Sequence, residues 1–111
     1  MRSFDFNSVQ QPMMQITLPD KEQTKIRLTM PKTSLAGRMG TISTELKEIS
    51  ESKDESTIHR VYETVAEIMS CNLEFHTFTA EELKELLNFE HIAAFCLEYI
   101  KFLSDVKTAK N

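Results

Sequence analysis

The sequence predicts an α+β fold in which an N-terminal β-hairpin packs on a bundle of about four helices. Two observations favour this class. Before residue 31, apolar and polar residues alternate on either side of Pro19-Asp20, which is typical of a hairpin. After residue 33, apolar residues recur every three or four positions, and capping and turn signals divide this part into helical segments. A chain of 111 residues is expected to form one domain, residues 1–111.

The predicted hairpin covers residues 13–30 and follows an N-terminal arm, residues 1–12. Its apolar positions alternate with polar ones in both strands, and they comprise Met14, Ile16, Leu18, Ile26, Leu28 and Met30. Pro19-Asp20 supplies the residues of a turn, with proline suited to the first central position of a type I turn. An isolated two-stranded hairpin is marginal in water, so its apolar face is expected to rest on the helices.

The helical part divides at polar residues and at helix-capping sequences. Helices are predicted at 33–50, 57–71, 79–88 and 90–107, with a polar linker at 51–56. Capping boxes at Ser52–Glu55 and Thr79–Glu82 introduce the second and third helices. The positions chosen as core are Leu46, Ile58, Val65, Leu86, Phe95 and Phe102.

The last helix is apolar over more of its circumference than a core-facing helix needs. A stripe about 120° wide contains Ile92, Phe95, Cys96, Tyr99, Phe102, Leu103 and Val106. Phe89, Ala93, Leu97 and Ile100 lie outside this stripe and widen the apolar arc to about 220°. Two explanations stay open at this point. The extra residues either form a second small core or receive a partner, as exposed apolar patches often do.

The first helix carries a narrow apolar seam with coiled-coil-like spacing, Leu35, Met39, Ile42, Leu46 and Ile49. Together with the wide arc of the last helix, this seam predicts self-association. The candidate partner-binding residues are Phe89, Leu97, Ile100, Leu35, Met39 and Ile42. Methionine is adaptable at binding surfaces, which draws attention to Met13, Met14, Met30, Met39 and Met69, although these residues can equally fill the core.

Charge and composition narrow the possible partners. The net charge of −4 combines a mildly basic front, six Lys or Arg against three Asp or Glu in residues 1–40, with an acidic remainder. This distribution does not favour nucleic acid, which needs a concentrated basic face. No apolar run reaches the length of a membrane span, and the start lacks the apolar core of a signal peptide. The two cysteines are expected to be free thiols in a reducing cytoplasm.

No motif in the chain predicts catalysis, a metal or a cofactor. Cys71, His76, His91 and Cys96 have the spacing C-x4-H and H-x4-C, which departs from ordinary zinc spacings. On one helix, His91 and Cys96 would also point about 140° apart. With two glycines and no G-x-S-x-G motif, neither a phosphate loop nor a nucleophile elbow is predicted. We therefore expect a protein that is not an enzyme and that holds no cofactor.

A small basic cluster supports an alternative function of a different class. Lys25, Arg27, Lys32 and Arg38 lie on or near the predicted hairpin. A small oligomeric regulator of the antitoxin or repressor type could use such a hairpin on DNA. Charges on the outward face of a strand also serve to prevent edge-to-edge aggregation, which gives these residues a structural explanation.

The order of elements resembles a family of phage proteins. The segments that carry the likeness are "FDFNSV", the hairpin "ITLPD…IRLTMPK", "IMSCN" at a helix end, and "FTAEELKELLNFEHIAAFCLEYIKFLSDV". Over nearly the whole chain, this pattern is similar to that of the tail assembly chaperones of long-tailed phages and prophages of Gram-positive bacteria. The last of these segments contributes most to the likeness.

The resemblance implies a function and a set of partners. Members of the family are assembly factors of the host cytoplasm that are absent from the finished virion. They bind the long, apolar-rich tape measure protein, keep it soluble and present it for assembly of the tail tube. A longer frameshifted product usually recruits the major tail protein. A protein with this role needs apolar surface beyond its own core, which offers a reason for the wide arc of the last helix.

Overall fold

The computed structural model describes residues 1–8, 12–31, 33–52 and 54–109, and in these ranges an antiparallel hairpin precedes four helices. The elements are a 3-10 turn at Phe6–Ser8, strands β1 (Met14–Thr17) and β2 (Lys25–Leu28), and helices α1 (Thr33–Ser52), α2 (Glu55–Ser70), α3 (Ala80–Leu86) and α4 (Phe89–Ala109). The predicted α+β class, with its N-terminal hairpin and four helices, is confirmed.

Helix capping explains where the predicted boundaries need correction. The polar linker predicted at 51–56 is too long, because α1 continues to Ser52 and α2 already begins at Glu55. Asp54 caps α2, accepting a hydrogen bond from the Ser56 N–H at 3.1 Å. This bond also holds the pKa of the Asp54 carboxyl below its usual value. Ser52 is thus the end of one helix rather than the cap of the next.

The predicted cap of the third helix is present, although the helix is shorter than predicted. Thr79 accepts a hydrogen bond from the Glu82 N–H at 3.2 Å, so that α3 begins at Ala80. It ends at Leu86, because Leu87 returns to extended backbone. The helix predicted at 90–107 runs two residues further and begins one residue earlier, a difference of the usual size at helix ends.

Helix α2 occupies the centre of the fold and packs against α1, α3, α4 and β2. Its apolar stripe is regular, and Val61, Val65 and Ile68 are completely or almost completely buried. Polar contacts also hold α2 to its neighbours. The Tyr62 hydroxyl donates to the Leu87 carbonyl at 2.9 Å, and Arg38 of α1 pairs with a Glu67 carboxylate oxygen at 3.1 Å. Burial raises the pKa of the Tyr62 phenol.

The six positions chosen as core from the sequence lie at different depths. Val65 is fully buried, whereas the other five, Leu46, Ile58, Leu86, Phe95 and Phe102, are half-buried and pack against the core from outside. The deepest large side chains include Leu28, Ile42, Ile68, Met69, Leu83, Ile92 and Tyr99. On α4, the centre of the core is therefore formed by the face that carries Ile92 and Tyr99. Helical spacing alone did not distinguish this face from Phe95 and Phe102, which are only half-buried.

The strands of the hairpin pair in the register Met14 with Leu28 and Ile16 with Ile26. Its connection is stabilised by Asp20, whose carboxylate accepts hydrogen bonds from the Thr24 N–H at 2.8 Å and from the Thr24 hydroxyl at 2.6 Å. These bonds hold the pKa of Asp20 below its usual value. The tight turn is Asp20–Gln23, so its central residues are Lys21 and Glu22, two positions later than the predicted central pair Pro19-Asp20.

The outer edge of β2 is covered by the segment that follows α2. Thr29 donates its N–H to the Cys71 carbonyl at 2.8 Å, and Leu73 donates to the Arg27 carbonyl at 3.1 Å. The Glu74 carboxylate then accepts from the Arg27 N–H at 2.8 Å and from its guanidinium at 2.7 Å. This edge of the hairpin is therefore closed by the chain itself.

Asn72 organises that covering segment from a buried position. Its amide donates to the Met69 and His76 carbonyls, both at 2.7 Å, and its side-chain oxygen accepts from the His76 N–H at 3.0 Å. The residue also forms a β-bridge with Leu28. One residue thus links the end of α2 and the covering segment through its side chain, and the hairpin through its backbone.

We expect Asn72→Ala to lower the free energy of unfolding by about 2–3 kcal/mol, because three hydrogen bonds at a buried site are lost. Thr77→Ala, an exposed change in the same loop, is the control and should stay within about 0.5 kcal/mol of the parent. Urea denaturation measures both values. Equal effects of the two substitutions would show that Asn72 does not organise the segment.

Candidate protein-binding groove

Within the described ranges, no group of three metal-binding side chains converges. The four residues of the C-x4-H and H-x4-C spacings lie in different environments. Cys96 is fully buried in the core and Cys71 is half-buried, whereas His76 and His91 are exposed. His76 packs against the Phe78 ring at a centroid distance of 4.3 Å. His91 accepts the Asn88 N–H at 3.1 Å on Nδ1.

The two thiols differ in accessibility, and burial raises the pKa of Cys96 to about 12. Because the thiolate is the reactive form, we expect a maleimide reagent to modify Cys71 in the native protein and to reach Cys96 only after unfolding. Mass spectrometry of digested protein measures the two rates. As a control, native Cys71→Ser protein should stay unlabelled. Equal native rates for the two thiols would contradict the packing described for α4.

The predicted basic cluster is partly neutralised by ion pairs. The Arg27 guanidinium lies 2.7 Å from a Glu74 carboxylate oxygen, and Arg38 pairs with Glu67. Lys25 is exposed, and Lys32 lies outside the described residues. Of the three described positions, two are therefore paired with carboxylates and one is a single exposed lysine, which is less than the concentrated positive surface that duplex DNA requires.

The six candidate partner-binding residues fall into different environments. Leu35 and Ile42 are 5% and 1% exposed, so these two residues of the α1 seam face the core. These two residues are thus unavailable to a partner in this structure, which corrects their assignment from the sequence. The side chain of Met39 lies outside the described residues.

The wide apolar arc of α4 is mostly core. Phe89 and Ile100 are half-buried and pack against the core, whereas Leu97 is 59% exposed. Single exposed leucines are common on protein surfaces. Of the candidate residues whose side chains are described, Leu97 alone is strongly exposed, and by itself it does not form a binding surface.

An apolar groove lies on another side of α4, between that helix and β1. Its volume is about 340 Å³. The lining residues are Met14, Ile16, Thr17, Leu18, Pro19, Met69, Leu87, His91, Ala94, Phe95 and Glu98. Only Thr17, His91 and Glu98 contribute polar side chains. We call this feature the β1–α4 groove.

The depth of the strand residues shows that the sheet is incompletely covered on the groove side. Ile26 and Leu28 of β2 are 3% and 0% exposed, whereas Met14 and Ile16 of β1 are only half-buried. On the opposite wall, Phe95 is half-buried and stacks on Tyr99 at a centroid distance of 5.6 Å. The groove therefore leaves apolar side chains from both elements in contact with solvent.

The outer edge of β1 borders the same groove. The Leu18 N–H donates to the Thr24 carbonyl, so the alternate residues Ile16 and Leu18 direct their backbone groups toward β2. Gln15 and Thr17 consequently direct their N–H and C=O groups away from the hairpin. Among the residues that the structure describes, these groups have no backbone partner. An open strand edge and an apolar groove thus lie side by side.

The chemistry of this site is that of peptide binding. Apolar walls remove apolar side chains from water, and a free strand edge can add hydrogen bonds to a peptide backbone. Helical periodicity did not identify the groove, because Phe95 was assigned to the core stripe and β1 is distant in sequence. The sequence feature that points to the groove is methionine, because Met14 and Met69, two of the adaptable residues named from the sequence, both line it.

Comparison of the chain with family models, with curated proteins and with solved structures finds no match. Along the described ranges, every helix is either too short or too polar to cross a membrane.

Proposed function

We propose that this chain is a phage tail assembly chaperone that binds the tape measure protein, keeps it soluble and supports assembly of the tail tube. The observation that carries the proposal is the β1–α4 groove, a concave apolar surface of about 340 Å³ next to an open strand edge. Such a surface suits an apolar protein segment better than a small polar ligand or a nucleic acid.

The identity of the client comes from the sequence pattern described above. A tape measure protein is long and rich in apolar residues, so before tail assembly it exposes segments that tend to aggregate. An amphipathic helix of such a client can bury its apolar face in a groove lined by Met14, Ile16 and Phe95. Methionine adapts to side chains of different shape, which favours successive binding of related segments.

The remaining parts of the proposal follow from the same role. The chaperone acts without catalysis or cofactor in the cytoplasm of the host bacterium, and it leaves before the virion is complete. Recruitment of the major tail protein belongs to a longer frameshifted form, where one is produced. Self-association allows several copies to cover one client.

Co-expression with the tape measure protein of the same phage or prophage tests the proposal. We expect the client to move from the pellet to the soluble fraction and to copurify with the chaperone. A folded chaperone at equal or higher level that leaves the client in the pellet would contradict the proposal. Fluorescence anisotropy with duplex DNA tests the regulator alternative, for which tight binding with a steep salt dependence would be the signature.

A further inference from the structure

The N-terminal residues expose two aromatic side chains that their own molecule does not cover. Phe4 is 67% and Phe6 is 81% exposed, and their rings contact each other edge to face at a centroid distance of 4.9 Å. Neither ring packs on the core, and neither lines the β1–α4 groove. Large exposed aromatic residues that lie together indicate an interaction site more often than a neutral surface.

The spacing of this aromatic pair matches the alternation of β1. In an extended strand, residues two apart point to the same face, so Phe4 and Phe6 would share a face as Met14 and Ile16 do. Residues 1–5 have no regular structure, and one 3-10 turn follows, in which Ser8 donates its N–H to the Asp5 carbonyl at 3.0 Å. The Ser8 hydroxyl donates to the same carbonyl at 2.7 Å, and extending the segment through Phe6 exchanges these local bonds for pairing with the β1 edge.

The edge of β1 is suited to receive such a strand. Unprotected edges are usually blocked by charged residues, but the strand Met14–Thr17 contains no charged residue. A strand laid on this edge would pair with the backbone groups of Gln15 and Thr17 and would cover Met14 and Ile16 at the same time. Arg2 shares the face of Phe4 and Phe6 in an extended strand, and the groove lining includes the carboxylate of Glu98, which here forms an exposed pair with Lys101 at 3.5 Å.

We propose that the N-terminal segment of a second copy of this chain binds the β1–α4 groove as an added strand, with Phe4 and Phe6 inserted between β1 and α4. The inference concerns regulation of the site named under the proposed function and rests on that groove. Copies linked in this way occupy each other's grooves until a client displaces the segment. Because each copy has one segment and one groove, the contact can continue from copy to copy or close into a ring.

Two classes of variant test the two halves of this contact separately. The donor is the N-terminal segment, and the acceptor is the β1–α4 groove with the edge of β1. Phe4→Ser with Phe6→Ser removes the donor, and Phe75→Ser is the matched control, since Phe75 is 93% exposed outside the segment. Gln15→Pro removes an outward N–H on the acceptor edge, a position where strands tolerate proline, and Gln15→Ser is its control. Ala94→Arg provides a second acceptor variant that leaves the strand backbone unchanged.

Analytical ultracentrifugation of the full chain over a range of concentrations measures the association. We expect the parent, Phe75→Ser and Gln15→Ser to self-associate, and the donor and acceptor variants to do so about tenfold or more weakly. A mixture of donor variant and acceptor variant should recover a one-to-one complex, because each supplies the half that the other lacks. Circular dichroism establishes that every variant is folded.

A parent that stays monomeric at high concentration would overturn the inference, as would donor and acceptor variants that associate like the parent or a mixture that forms no complex. If the segment instead bound the groove of its own molecule, the parent would stay monomeric. The donor variant keeps its groove and should still capture the tape measure protein. If no variant and no parent captures that client while the mixture recovers its complex, the proposed function fails and the present inference stands.

Discussion

Leu83→Ala is expected to lower the free energy of unfolding by about 2–5 kcal/mol, whereas the same change at Leu97 should alter it by less than about 0.5 kcal/mol. Leu83 is fully buried among the helices, and Leu97 is 59% exposed on α4. Removing buried methyl groups costs their transfer free energy and leaves a cavity. At Leu97 the removed groups are already largely in contact with water.

Urea denaturation of the two variants measures this difference, which is large against a total stability of about 5–15 kcal/mol for most domains. Ile100→Ser extends the test to a residue of the wide arc that is half-buried. It should be destabilising, because a hydroxyl replaces an apolar side chain that packs on the core. Losses of similar size at Leu83 and Leu97 would contradict the packing of α4.

Ala94→Arg is expected to abolish solubilisation of the tape measure protein while leaving the fold intact. Ala94 is exposed on α4 and lines the β1–α4 groove, so an arginine side chain would place bulk and charge among its apolar walls. Arginine has good helix propensity, and the cost to stability should stay within about 0.5 kcal/mol. The soluble fraction of co-expressed client is the readout.

Ala94→Ser is the matched control at the same position, because it changes the helix surface without filling the groove. It should solubilise the client as the parent does. Leu97→Ser changes the strongly exposed residue of the wide apolar arc, and this variant should also solubilise the client as the parent does. If Leu97→Ser removed client binding while Ala94→Arg did not, the binding surface would be the outer face of α4 and the groove assignment would be wrong.

The local periodicities of the sequence were sufficient to predict the fold class. Alternation predicted that Ile26 and Leu28 share one face of a strand, and both are buried. Helical recurrence predicted that Val65 lies in the core, where it is fully buried on α2. Helix ends were harder to predict, because Ser52 and Asp54 are both acceptable caps by residue type. The choice between them depends on how far α1 extends before the chain turns.

The candidate site could not be predicted from helical spacing, because spacing specifies which residues share a face and not what covers that face. Leu35 and Ile42 form a regular seam that α1 buries in its own core. Ile100 of α4 is a similar case. It lies outside the stripe of about 120° that was predicted to face the core, yet its side chain packs against the core. The groove brings β1 beside α4, and a contact between elements so distant in sequence follows only from tertiary packing.

The most direct test of the central claim, that the β1–α4 groove holds the client, is NMR mapping of isotope-labelled chain titrated with a soluble apolar fragment of the tape measure protein. The account predicts that the largest amide shifts occur at Gln15, Thr17, Ala94 and Phe95, and that Ala94→Arg suppresses them. Two results would contradict it: shifts concentrated instead on the polar surface between α1 and α2, around Arg38 and Glu67, or no shifts with a fragment that this chain demonstrably solubilises.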